Sequence, residues 1–221
     1  MSNVFSSMKR YERILLFILA DIYLMGVIGF SIPLLRPYMK LLTPWVLILT
    51  GGSVFVILTL RAGRKFPIFA AIAYLLTFTA EAVGVATGNV FGPYHYTGVL
   101  GPMLFEVPVI IGFNWIMVLV GMTAFTERIC CNRIWLFAVF TGIAAVLFDL
   151  VMEPVAINLQ FWVWHGHTVP LQNYAAWFII AVVLAFIYKL FRIRIPTTLP
   201  VWYTLLQTVF FILILTAIHV F

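Results

Sequence analysis

Asp149 and Glu153 stand four residues apart in an otherwise apolar stretch. That spacing puts both carboxyl groups on one face of a helix, with Pro154 expected to end or kink the helix directly after them. Glu81 lies near the end of another such stretch. An acid inside a membrane helix costs about 2.5–3.5 kcal/mol to insert, so residues of this kind are functional candidates by default. Two carboxyl groups in close, poorly solvated contact cannot both ionise easily. A protonated carboxyl beside an ionised one is what acid–base catalysis uses. The alternative is a structural pair, bonded to Asn158, Asn173 or indole N–H groups and serving only to fix helix packing.

Two segments beside these acids lack Lys and Arg but are rich in aromatic and polar residues. Residues 88–107 hold Phe91, Tyr94, His95 and Tyr96 between glycines and prolines, and residues 157–172 hold Phe161, Trp162, Trp164, His165 and His167. Loops of this length are often functional, although an aromatic belt at the membrane surface would also use Trp and Tyr. A phosphorylated or carboxylated substrate would want Lys, Arg or a metal beside it, so the pocket suits a neutral, apolar molecule. A single Asp-x-x-x-Glu does not supply the paired Asp-rich motifs of prenyl diphosphate transfer. A retinal Schiff base of the seven-helix kind is excluded because the last apolar stretch has no lysine. Four histidines, His95, His165, His167 and His219, are too few for a membrane di-iron oxygenase. A zinc site from His95, His165 and His167 is conceivable, but the expectation is no metal.

The elements that must position these residues follow from composition. With 64% hydrophobic and 9% charged residues over 221 positions, the chain is far from the soluble norm of about a quarter charged. A span needs about 20 residues, which leaves no room for a soluble domain, so residues 1–221 are expected to form one membrane domain. Apolar stretches at 14–32, 44–60, 67–87, 108–126, 134–152, 173–190 and 200–221 predict seven helices, an all-α polytopic fold. Pro44, Pro67, Pro108 and Pro200 fall at their starts, where a missing N–H costs nothing. The first stretch is too long for a signal peptide and carries Asp21, so it is expected to be retained. Eleven of the 13 Lys and Arg residues fall outside the loop between the first two stretches, on one side of the membrane. The positive-inside rule therefore puts the N-terminus in the cytoplasm and both aromatic loops outside. The net charge of +6 reflects this topology and is no reason to propose nucleic acid. Cys130 and Cys131 then sit at a cytoplasmic turn as reduced thiols. Asp21, deeper in the first stretch, reads as a hydrogen-bonded packing residue.

The run EAVGVATGNVFGPYHYT from Glu81, the Leu-Gly-Pro and Val-Pro segments up to Pro108, Trp115, DLVMEPVA from Asp149, and the Trp-Val-Trp and PLQNYAAW segments ending at Trp177 resemble the membrane-embedded carotenoid biosynthesis proteins. That family includes bacterial and archaeal carotenoid 1,2-hydratases. The resemblance runs from the third to the sixth stretch, over half the chain, whereas the first, second and seventh agree in hydropathy only. It implies hydration of a terminal C1=C2 double bond of an acyclic carotenoid, a reaction that needs a proton, a water and a shielded cation but no cofactor. Asp149 and Glu153 would then serve as acid and water-orienting base, in either order, with Glu81 as third partner. Tyr94, Tyr96, Trp115, Trp162 and Trp164 would shield the cation, Phe91 and Trp177 would bind substrate with them, and Asn173 could hold the water. Gly84 and Gly88 would allow close packing or admit the flat polyene. The implied surroundings are the lipid bilayer of a bacterial or archaeal cytoplasmic membrane and other carotenoid biosynthesis enzymes.

Other readings remain open at this level. A carotenoid cyclase uses the same protonation but quenches the cation with an internal double bond. A proton-coupled transporter would also hold acids in the membrane, staggered from one face to the other. A carotenoid-binding protein would keep the aromatics and tolerate loss of the acids. The two halves around the aromatic loops both read acid, aromatic loop, Pro, then Asn next to an aromatic (Asn114-Trp115 and Asn173-Tyr174), the pattern of a worn parallel duplication.

Overall fold

The computed structural model describes residues 8–129, 133–166 and 168–220. Among them, seven helices are long and apolar enough to cross a membrane. These are α1 (Arg10–Ser31), α2 (Arg36–Ala62), α3 (Lys65–Thr87), α4 (Ile110–Ile129), α5 (Ile134–Asn158), α6 (Leu171–Leu190) and α7 (Leu199–Val220). The chain is thus an integral membrane protein of all-α architecture. Cys130, Cys131 and His167 lie outside the described residues, as does the side chain of His219.

Three prolines do not punctuate the helices as their positions predict. Pro44 lies inside α2, which begins at Arg36 with Pro37 in its first turn. Arg36 and Lys40 interrupt the apolar run there, so hydropathy starts the helix too late. Of the two outcomes expected at Pro154, ending the helix does not occur, because α5 continues to Asn158. The Asn158 side-chain amide donates to the Pro154 carbonyl at 2.7 Å in the last turn of the helix. Pro108 belongs to a short strand, and α4 starts after it at Ile110.

Helix α4 is the axis of the bundle. Of its apolar window 72% is buried, against 22–39% for the other six helices. Without a hydrophobic drive between helices in lipid, such packing depends on small residues that let backbones approach. At Gly121 a Cβ would stand 1.8 Å from Thr204 Oγ1 and 3.1 Å from the Pro200 carbonyl of α7. Gly121→Val is therefore expected to destabilise the protein by about 3 kcal/mol or more. Gly52→Ala, with nothing within 4 Å, is expected to leave the thermal midpoint unchanged or raise it. A melting curve of the two variants in the same detergent checks both.

Helix hydroxyls are satisfied locally. Thr50, Thr77, Thr141 and Thr204 each donate to the carbonyl four residues earlier, which keeps them compatible with an apolar interior. The acids at the end rich in Lys and Arg are paired. Buried Glu12 accepts from Arg61 at 2.7 Å and from Thr197 at 3.2 Å, and Glu127 accepts from Lys189 at 2.6 Å.

At the opposite end the aromatic segments are not irregular loops. Strand β1 (Tyr94–Tyr96) pairs antiparallel with β4 (Trp162–Trp164), with Tyr94 opposite Trp164, His95 opposite Val163 and Tyr96 opposite Trp162. Between β1 and α4, β2 (Met103–Leu104) and β3 (Val107–Pro108) form a hairpin. Both residues of its turn are left-handed, Phe105 at φ 52° and Glu106 at φ 62°, a conformation usually taken by Asn-Gly. Glu106 is exposed at this tip and is not among the acids of the cavity described next.

Candidate active site

Side chains alternate across a strand, and this decides the character of the aromatic end. Tyr94, Tyr96, Trp162 and Trp164 share the inward face of the β1–β4 ladder, while His95 and Val163 point outward. The four rings form a tilted cluster, with Tyr94 and Trp164 centroids 5.0 Å apart and Tyr96 and Trp162 5.9 Å apart. Each strand then donates to the acid of the helix that precedes it. Both tyrosine hydroxyls of β1 donate to Oε2 of Glu81 on α3, Tyr96 at 2.9 Å. Both indoles of β4 donate to Oε2 of Glu153 on α5, each at 3.1 Å. Burial first and the neighbouring Glu81 charge second push both tyrosine hydroxyls above their ordinary pKa, so they remain donors at any physiological pH.

The remaining oxygens differ in use. Trp115 of α4 donates to Glu81 Oε1 at 2.8 Å, which gives Glu81 three donors, all aromatic. Asn173 of α6 donates to Asp149 Oδ2 at 2.7 Å. Asp149 Oδ1 is buried without a hydrogen-bond partner. All three acids are buried, Asp149 fully. The i, i+4 spacing does place Asp149 and Glu153 on one helical face: both line a cavity of about 550 Å³, a volume typical of sites for small apolar ligands.

Glu81, Phe91, Tyr94, Tyr96, Trp115, Asp149, Glu153, Trp162, Trp164, Asn173 and Trp177 all lie around this one cavity. Trp177 stacks on Trp115 with centroids 3.8 Å apart. Of the two roles expected of the glycines, Gly84 has the close-packing one. At Gly84 a Cβ would meet the Phe91 ring at 2.8 Å, so that space holds a side chain of the protein rather than a polyene. Gly88 is the left-handed cap of α3, its N–H bonded to the Gly84 carbonyl. His95 and His165 are exposed on the outer side of the ladder, Nδ1 to Nε2 at 3.2 Å, away from the carboxylates. No group of three metal-ligating side chains occurs among the described residues.

Asp21 has no hydrogen-bonded packing role. It is exposed, pairs with no described residue, and lines the cavity where Met25, Ile28 and Leu42 also meet the outside of the bundle. Here, between α1 and α2, the cavity reaches the lipid-facing surface. Sequence reasoning also missed Tyr23 of α1 and Gln207 of α7, which line the cavity from its other side. An isolated Gln in an apolar helix is the one signal that pointed there.

The family model described as carotenoid biosynthesis protein matches residues 42–221, a range that holds all of α3–α7 and both strands of the ladder. A protein from Haloarcula japonica named bisanhydrobacterioruberin hydratase is 30% identical over 158 residues, which is 64% of this chain and 50% of the relative. The chain therefore spans about half the length of that relative. No solved structure matches it.

Proposed function

Because the chain belongs to the carotenoid biosynthesis protein family, we propose that it adds water across the terminal C1=C2 double bond of an acyclic carotenoid end group held in the cavity. The Haloarcula relative is named as a hydratase, and the arrangement of the acids suits that chemistry. The observation that carries the reading is the divided carboxyl of Asp149. An amide N–H can only donate, so Asn173 makes Oδ2 the acceptor oxygen. A proton on this carboxyl then resides on Oδ1, the oxygen without a protein partner, and is available to whatever fills the cavity.

In the proposed sequence, Asp149 Oδ1–H protonates C2, the π electrons form the new C–H bond, and a tertiary cation develops at C1. Water adds through its oxygen to C1, and Glu153, one turn along the same helix, removes the extra proton. Return of that proton to Asp149 resets the pair. The product is a 1-hydroxy carotenoid, and no oxidant, reductant or metal enters the balance. Trp162 and Trp164 fix Glu153 through a single oxygen. The ring faces around the cavity stabilise the cation by about 2 kcal/mol each when desolvated. The lipid-facing side between α1 and α2 offers the apolar substrate a route from the bilayer.

Expression in a bacterial host that accumulates lycopene or γ-carotene tests the proposal. The expected pigment is heavier by one water, and its yield should fall about a hundredfold with Glu153→Gln. An isomer of unchanged mass would identify a cyclase instead. Unchanged pigment from well-folded protein would also contradict the reading.

A further inference from the structure

The cavity has a second polar end. Tyr23 of α1 and Gln207 of α7 are each only 7% exposed, and both line the cavity. Gln207 Nε2 donates to Tyr203 Oη at 3.3 Å, and Tyr203 in turn meets Thr50 Oγ1 at 3.3 Å. Gln207 Oε1 has no partner. Turning the amide over moves the orphan without removing it, because one amide atom faces Tyr203 and the other faces none. The Tyr23 hydroxyl lies beside Tyr203, Thr50 and Gln207 yet completes no hydrogen bond. Two buried polar groups left open at one place are costly unless something fills them.

What separates this end from the carboxyls is apolar. Ring centroids step 5.2 Å from Tyr23 to Phe210, 5.6 Å from Phe210 to Phe211, and 5.9 Å from Phe211 to Phe148, the neighbour of Asp149. All three phenylalanines line the cavity. A molecule that satisfies the whole space is an apolar chain with one polar group set apart from its reacting end. A carbonyl would suit the Tyr23 O–H but leave Gln207 Oε1 open, an acid would need a cation that the lining lacks, and an amine would be drawn to the Asp21 carboxylate rather than to this neutral pair. A hydroxyl donates and accepts at once. It therefore fits Gln207 in either orientation and Tyr23 with it.

We propose that Tyr23 and Gln207 form a hydroxyl-recognition subsite, so that the cavity selects an isoprenoid already carrying an alcohol over the corresponding hydrocarbon. The proposal rests on the preceding reading only in taking the occupant to be an isoprenoid. A resident water would satisfy the same two groups and would give no such selection. The place in a reaction sequence follows: an earlier step that installs a hydroxyl would supply the preferred substrate.

The test needs no turnover. Purified full-length protein in nanodiscs is equilibrated with an equimolar mixture of geranylgeraniol and the C20 hydrocarbon lacking its hydroxyl, and the bound ratio is read by mass spectrometry. Gln207→Leu is expected to lower the alcohol-to-hydrocarbon ratio about tenfold and Tyr23→Phe about threefold. Asp149→Asn should keep the wild-type ratio. Tyr23→Phe retains the ring and its packing, so it reads the hydroxyl even if Gln207→Leu does not fold. Equal ratios in wild type and both variants would overturn the subsite in favour of water. A ratio that collapses only in Asp149→Asn would place the hydroxyl at the carboxyl end and overturn it as well. Uptake of neither compound by the wild type would overturn the subsite together with the isoprenoid reading, whereas loss of selection alone leaves hydration standing.

Discussion

Asp149→Asn is expected to lower hydration by about 10²–10⁴-fold, the contribution of a positioned general acid, without unfolding the protein. The substitution keeps the shape of the side chain and its fit in a fully buried position. It removes the acidic proton from a side chain that lines the cavity. Asn173→Ala acts one step away. Without its N–H on Oδ2 the proton is no longer confined to Oδ1, and turnover is expected to fall about tenfold. Pigment yield normalised to membrane protein, with the melting temperature measured alongside, separates the two effects. Full activity of a folded Asp149→Asn variant would exclude this residue as the acid.

Glu81→Leu is expected to have the largest effect on stability among changes at this end of the bundle. Three donors from two elements converge on Glu81: Tyr94 and Tyr96 from β1 and Trp115 from α4. Removing the carboxylate orphans all three in a buried place, at about 1–3 kcal/mol for each. The β1–β4 ladder should loosen as a unit, with faster amide exchange at the Tyr94–Trp164 and Tyr96–Trp162 pairs. Adding Tyr94→Phe and Tyr96→Phe to the Leu variant is expected to restore part of the loss, because unmet donors are then removed. Failure of the triple variant to recover stability would show that Glu81 acts through packing rather than through these bonds.

Much of the site is legible in the sequence because acids are rare in membrane helices. Glu81, Asp149 and Glu153 stand out against apolar surroundings, and the density of Tyr and Trp in two loops without Lys or Arg marks their neighbourhood. The i, i+4 spacing is local and survives into the structure. The ladder is not legible. Each strand is three residues long and its partner lies in a different loop, so no hairpin turn announces the pairing. Alternation of Tyr-His-Tyr and Trp-Val-Trp was the available sign that one face holds the rings and the other does not.

Proline positions misled for a related reason. Hydropathy locates apolar residues, whereas α2 begins among Arg36, Pro37 and Lys40, and α5 runs past Pro154. The hydroxyl subsite was hidden because Tyr23 and Thr50 come from two other helices, and only Tyr203 and Gln207, four residues apart on α7, share a sequence spacing. Asp21 was misread because period and depth alone do not tell which wall of a cavity a residue joins.

Turnover in isotopically labelled water tests the central claim most directly. In D₂O enriched in H₂¹⁸O, the product is expected to carry one non-exchangeable deuterium on C2 and one ¹⁸O on C1, with neither label in an Asp149→Asn control. Deuterium without ¹⁸O would mean that the cation is quenched internally. Oxygen drawn from O₂ instead of water would contradict proton-initiated hydration altogether.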